Sequence, residues 1–182
     1  MMKCRSCCEF IKESSTIDEI EYFVCPACGE TIEIDISPKK LDLNILHRKG
    51  SDNTRESYSS DFMINGQSLL ADIVRNAGGR GDFLGCFARG WDNLNDHSLK
   101  QLLLQAPPET ESGRNLIYVC PECADIGCGA YGCKITKTDN EYIWIDFAYE
   151  NGYEEPEPIH GIGPFKFSAT EYENVITRAF AL

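Results

Sequence analysis

"VCPECADIGCGAYGCKITKTDNEYIWIDFAYE", residues 119–150, contains the three patterns on which the fold reading rests. A strand-like run, "NLIYVC" at 115–120, stops at Pro121. Four cysteines then follow as C-x2-C-x4-C-x4-C: Cys120, Cys123, Cys128 and Cys133. Beyond them "GAYGCKITKT" and "EYIWIDFAY" flank Asp139-Asn140, residues that tolerate the backbone of a tight hairpin turn. Strand alternation places Tyr142, Trp144, Asp146 and Ala148 on one face, with Ile143, Ile145, Phe147 and Tyr149 on the other. An antiparallel sheet with a cysteine-rich turn at one end is predicted.

On the C-terminal side an acidic loop, "ENGYEEPEPIHGIG" at 150–163, leads into an edge strand, "PFKF". "SATE" reads as a capping box, with Ser168 as cap and Glu171 answering it. Tyr172, Val175, Ile176, Ala179 and Phe180 then recur at helical spacing. On the N-terminal side, residues 61–105 read as helical. Leu69, Leu70, Ile73 and Val74 share a face that stops at Gly78-Gly79. Leu99, Leu102 and Leu103 form a second face, with Asn95 or Asp96 as cap and Pro107-Pro108 as terminator. "GRGDFLGCFARGW" between them reads as loop with a short helix. Residues 37–60 carry few large apolar groups after Leu46 and read as a linker.

Residues 1–36 read as a zinc ribbon. Cys4 and Cys7 form one C-x2-C turn and Cys25 and Cys28 another, separated by seventeen residues. Strand-like runs, "IEYFV" and "TIEIDI", flank the second turn. Two such turns place four thiolates at the corners of a tetrahedron, the closed shell of a structural zinc site. Cys8 is left as a spare thiol. The whole chain is therefore expected to be α+β: ribbon 1–36, linker 37–60, and a domain at 61–182 with a small antiparallel sheet packed by helices.

The second cluster admits three readings. It is a second Zn2+ site built from Cys120, Cys123 and Cys128, with Cys133 or His160 as fourth ligand. It is a metal-free cluster of packed thiols. Or it is a redox or nucleophilic centre, against which stands the absence of a helix behind the C-x2-C pair to lower a thiol pKa. Strand alternation puts Cys133 on the face of Tyr131 and Ile135, where it would be core.

"LIYVCPECADIGCGA", then "WIDFAYEN", then "GIGPFKFSATEYENVI" resembles a widespread bacterial family of uncharacterised proteins, over roughly residues 65–180. The resemblance implies one fold unit with no established activity, although some members are labelled oxidoreductase. The family pattern has glycine where this chain has Ala124, and Cys133 is not one of its cysteines. The ribbon is an addition to it.

The 182 residues carry a formal charge of −12. That balance disfavours a duplex-binding surface, which needs lysine and arginine to displace counterions, so a nucleic-acid-binding ribbon ranks last. It favours a basic protein partner. From Asp139 to Glu157 there are seven carboxylates and no lysine or arginine, interleaved with aromatics. Tyr142, Trp144, Asp146, Tyr149, Glu150, Tyr153, Glu154 and Glu155 are the candidate partner-binding residues. No apolar run reaches the ~18 residues of a membrane span, and the N-terminus lacks an apolar signal core, so a cytoplasmic protein is expected. There is no GxSxG, HExxH or kinase motif, and Gly78–Asp82 lacks the GKS/T ending of a phosphate loop. The functional expectation is a non-catalytic, zinc-binding, acidic interaction protein, in its most concrete form an immunity-type inhibitor of a basic bacterial toxin. A thiol-based redox enzyme using the 120–133 cluster is the alternative.

Overall fold

Strands β1 (Met2–Lys3) and β2 (Phe10–Ile11) pair around the first cysteine turn. Strands β3 (Ser14–Ile17), β4 (Ile20–Val24) and β5 (Thr31–Asp35) form a three-stranded antiparallel sheet. The computed structural model describes all residues except Met1, Arg5, Lys12, Arg80 and Leu182. It divides into two compact units, Met1–Pro38 and Lys39–Leu182. In the first, Asp18 and Glu19 both take positive φ, the two-residue reversal that matches strand twist and joins β3 to β4. Its core is small. Cys4, Ile11 and Cys25 are buried, with Phe23 and Ile32 packed against them.

The second unit begins with β6 (Leu41–Arg48), β7 (Ser57–Ile64) and β8 (Gln67–Ser68), a second three-stranded sheet. Residues 37–60 are therefore no linker. β6 and β7 pair over their full eight residues, from Leu41 opposite Ile64 to Arg48 opposite Ser57. Polar "SYSSD" hides this strand because Ser57, Ser59, Ser60 and Asp61 are buried, their backbones being consumed by pairing on both sides.

Helix α1 (Leu69–Ala77) follows as predicted, capped by the Ser68 hydroxyl and ended by Gly78 in the left-handed region. Next, β9 (Leu84–Gly85) replaces the expected short helix. It pairs with β10 (Asn115–Val119), while Phe87 and Arg89 exchange backbone hydrogen bonds with Ser60 and Tyr58 of β7. Residues 84–89 thus tie the two sheets of this unit together. Gly85 is required there, because a Cβ would overlap the Ser60 carbonyl.

Helix α2 (Asp92–Leu102) starts three residues before the predicted cap. Asn95 is no cap. It is buried inside the helix, where its side-chain amide bonds both the N–H and the carbonyl of Ala88. Strand β11 (Ala130–Lys137) and β12 (Glu141–Glu150) form the predicted hairpin, flanked by β13 (Glu157–Pro158) and β14 (Phe165–Ser168). Helix α3 (Ala169–Phe180) buries Tyr172, Val175, Ile176 and Ala179, while Phe180 stays exposed. Ser168 precedes it, but among the described residues its side chain makes no cap hydrogen bond. Ser168 is instead the last residue of β14, opposite Glu141, and the helix's first N–H bonds the Asn140 carbonyl.

The core is aromatic. Trp144 meets Phe62 and Phe167 edge-on at 5.3 and 5.5 Å between ring centroids. Its indole N–H donates to the Tyr172 hydroxyl, which donates to the Leu102 carbonyl. The Tyr118 hydroxyl donates to buried Asp61 at 2.5 Å, and Asp61 also accepts from Ser68.

Strand β12 breaks the predicted alternation. Trp144 faces Ile135 and Ile145 faces Lys134, but Ala148 faces Gly132, so β12 carries one extra residue. Asp146 is that residue, at φ +56°. After the bulge the inward set changes parity, and Phe147 and Tyr149 join Tyr142 and Trp144 in one core. Arg114 holds the bulge. Its Nε donates to the Asp146 carbonyl at 2.6 Å, and its guanidinium pairs with the Asp146 carboxylate at 2.8 Å and with Glu150 at 3.1 Å. Lys134 adds a second cation at Asp146. Burial pushes the Asp146 carboxyl up, but Lys134 and Arg114 outweigh it and hold the group below its ordinary 3.8.

Arg114→Met leaves Glu150 buried and uncompensated, so urea unfolding at neutral pH is expected to show a loss of about 3–5 kcal/mol. A depressed carboxyl pKa contributes stability that is present above the unfolded value and lost as pH falls through the folded one. The gap between wild type and Arg114→Met is therefore expected to narrow below pH 3.8.

Candidate metal centres

In the first unit the two cysteine turns are built alike. The Cys4 N–H donates to the Glu9 carbonyl and the Cys8 N–H returns to the Cys4 carbonyl. In the second turn the Cys25 N–H donates to the Glu30 carbonyl and the Gly29 N–H returns to the Cys25 carbonyl. The residue after each C-x2-C reverses the chain in the left-handed region: Gly29 at φ +75° and Cys8 at φ +64°. Cys8 is therefore the counterpart of the turn glycine. Its side chain is exposed, outside the group formed by Cys4, Cys7, Cys25 and Cys28.

All four of those sulfurs lie within 4.8 Å of one another. Cys4 and Cys28 are 3.6 Å apart, Cys7 and Cys25 3.4 Å. A tetrahedral zinc with bonds of about 2.3 Å needs sulfurs about 3.8 Å apart, and a disulfide needs about 2 Å. The spacing and the donor set fit a metal ion. The arrangement is compatible with a zinc ribbon.

Backbone N–H groups point at the sulfurs. Cys25 accepts from Cys28 and Ala27; burial pushes its thiol up, but these donors overcome it and bring it down to about 7. Cys4 is pushed the other way, first by its 2.8 Å hydrogen bond to the Glu30 carboxylate and then by burial. Glu30 also accepts the Ser6 N–H, and so spans both turns. Sequence reading missed Glu30, because nothing local marks a carboxylate that meets a cysteine twenty-six positions away.

In the second unit Cys120, Cys123 and Cys128 form a group of three, also within 4.8 Å. The turn repeats the pattern above. The Ala124 N–H returns to the Cys120 carbonyl, and Ala124 sits at φ +56°, the left-handed position. Cys120 accepts the N–H groups of Glu122 and Cys123, which outweigh burial and lower its pKa. A 3-10 turn at Ile126–Cys128, capped by the Asp125 carboxylate, brings Cys128 back to 3.4 Å from Cys123. Hydrogen bonds with Cys123 and Cys120 push the Cys128 thiol up to about 11.

Neither expected fourth ligand is present. Cys133 is wholly buried in β11, opposite Asn115, among core side chains. His160 is exposed, and among the described residues it does not join the group. The alternation that placed Cys133 with Tyr131 and Ile135 explains its position, since all three are buried.

The candidate partner strand is also reassigned. Tyr142 and Trp144 are core, and Glu150 is buried on Arg114 and Ser112. Asp146 is the bulge residue. Carboxylates and aromatics alternated in sequence, but Tyr142 and Trp144 face the core, the bulge turns Tyr149 toward it, and Arg114 takes Asp146 and Glu150. Tyr149 and Tyr153 serve the cysteine turn. A Cβ on Gly129 would overlap the Tyr149 hydroxyl, and one on Gly127 would lie 2.9 Å from that of Tyr153. The two rings thus leave no room for a side chain at either glycine beside Cys128. Tyr153, Glu154 and Glu155 stay exposed.

Arg48 was hidden in the supposed linker. It pairs with Asp82 at 2.6 Å and with Glu122 at 2.5 Å, and so anchors the C-x2-C turn to β6. No described helix is long and apolar enough to cross a membrane. No protein-family model, curated protein or solved structure matches this chain.

Cys7→Ser removes one of four donors and is expected to abolish stoichiometric metal binding by the ribbon, read by elemental analysis. Cys8→Gly is expected to keep it. Relief of the left-handed strain at Cys8 or Ala124 by glycine is expected to leave stability unchanged or raise it by up to about 1 kcal/mol, read by denaturant midpoint.

Proposed function

We propose that this chain is a non-catalytic, zinc-stabilised acidic protein that binds a basic protein partner. Zinc is held by Cys4, Cys7, Cys25 and Cys28 in the ribbon, and a second zinc by Cys120, Cys123 and Cys128. The observation that carries the reading is the set of four ribbon sulfurs at tetrahedral spacing. Four protein donors leave no position for water or substrate, which is the mark of a structural ion. The ribbon's own core is too small to hold it folded: among the described residues three apolar side chains are buried, and two of them, Cys4 and Cys25, are candidate ligands.

The partner reading rests on charge and on the outer face of the ribbon sheet. Phe23 and Ile32 face the ribbon core, so alternation turns Ile20, Tyr22 and Val24 outward, with Ile17 beside Ile20. Ile17 and Val24 are 58% and 54% exposed. Glu33 and Asp35 flank them on β5. Over residues 1–38 eight carboxylates face three cationic side chains. An apolar stripe rimmed by carboxylates suits a basic protein surface. Inhibition of a basic bacterial toxin is one form of this reading. The fold unit at 65–180 is proposed to be that of the bacterial family it resembles, since Ala124 takes the left-handed turn where that pattern has glycine.

A second reading has one observation in its favour. Cys120 is lowered while Cys123 and Cys128 sit 3.4 Å apart, the makings of a thiol redox centre. Protein purified without chelator separates the two. Two zinc ions per chain with protected thiols support the structural reading; one zinc with three reactive thiols supports the redox one.

Chelation is expected to unfold residues 1–38 while the near-UV dichroism of Trp91 and Trp144, both in the second unit, persists. Calorimetry against candidate basic partners is expected to show binding that weakens with salt and is lost in Ile17→Asp/Val24→Asp. Binding that ignores both salt and these substitutions would remove the partner reading.

A further inference from the structure

We propose that the metal at Cys120, Cys123 and Cys128 has only three protein ligands, and that its fourth corner takes an imidazole from another molecule. The inference rests on the reading that this cluster holds a metal. Three sulfurs occupy three corners of a tetrahedron, and among the described residues no further histidine, cysteine or carboxylate joins them. The acids that adjoin these cysteines in sequence are held elsewhere. Asp125 accepts the Gly127 N–H at 2.6 Å, and Glu122 is held by the Arg48 guanidinium and the Arg55 N–H. Cys133 is sealed in the core. Cys123 and Cys128 are exposed, so the group lies at the surface, within reach of a ligand from outside.

The contrast with the ribbon site is the second observation. There Cys4 and Cys25 are buried and all four donors come from the chain. Here the same turn geometry is paired with a single returning cysteine, and the Tyr149 ring lies against Gly129 beside it.

Charge selects the donor. Three thiolates on a divalent ion leave the site at −1, in a chain of formal charge −12. A thiolate or carboxylate from outside would approach against that field, whereas neutral imidazole would not. Three thiolates and one imidazole form an ordinary four-coordinate zinc set. Water fills the corner when imidazole is absent. The site is then a coordination socket for an exposed histidine, either of a second copy of this chain or of a separate molecule.

The test uses the full chain loaded with cobalt, whose ligand-field bands report each change of donor, and free imidazole as the probe. Two cobalt ions per chain are expected, falling to one in Cys128→Ser. Imidazole is expected to shift the bands saturably at one equivalent per chain in wild type and not in Cys128→Ser. One cobalt per chain in wild type, with no change in Cys128→Ser, would overturn the metal reading beneath the proposal. Two cobalt ions with bands indifferent to imidazole would overturn the open corner alone. So would bands that change in dilute His160→Ala, because His160 would then be the fourth ligand within the chain. Bands that shift with protein concentration in wild type but not in His160→Ala uphold the proposal and identify a second copy as the donor. A shift with imidazole and none with concentration upholds the open corner and excludes a second copy as the donor.

Discussion

Arg114 holds one extra residue in strand β12, and the arrangement of the second unit depends on that grip. The guanidinium satisfies the Asp146 carbonyl and carboxylate and the buried Glu150 together. Side chains alternate along a strand with a period of two, so one inserted residue moves everything beyond it to the opposite face. Without the bulge, Phe147 and Tyr149 would turn away from Trp144. With it they enter the core, and Tyr149 reaches Gly129. The sheet's packing and the position of Cys128 therefore share one cause.

The three cysteine turns show one solution used three times. In each, the second residue after the first cysteine and the second cysteine itself aim their N–H groups at the first sulfur. The next residue then reverses the chain through the left-handed region. Only one of the three reversals has glycine. Cys8 and Ala124 adopt a backbone that costs a residue with a Cβ about 1–2 kcal/mol. Metal binding, with an apparent gain of about 10 kcal/mol or more, covers such a cost easily. The two units differ in what else holds them. Among the described residues the first unit buries three apolar side chains, whereas the second unit has Trp144, Phe62, Tyr172 and their neighbours. A metal bound at both groups would therefore matter more to the folding of the first unit than to that of the second.

The acidity that marks the chain is distributed unevenly in its consequences. Much of the acid in β12 is neutralised internally by Arg114 and Lys134. The ribbon's carboxylates surround exposed apolar side chains instead. Net charge locates no surface by itself, and the strand with the densest acidic-aromatic alternation proved to be interior.

By itself the sequence determined the features that depend on near neighbours. The C-x2-C spacing marked all three cysteine turns, Asp139-Asn140 marked the hairpin, and the periodicity of Leu69–Ile73 and Tyr172–Ala179 marked two helices. Each is set by bond geometry within a few residues. The tertiary structure alone decided what depends on distant partners. Residues 57–61 look polar and linker-like, yet form a buried strand because β6 and the 87–89 segment pair with it from both sides. Of the two readings the sequence left for Cys133, ligand or core, the packing chose core, where it is wholly buried. Asp146 looks like a surface acid and is a bulge, because Arg114, thirty-two residues earlier, binds its carbonyl. Burial and register follow from which segments meet, and no local pattern encodes that meeting.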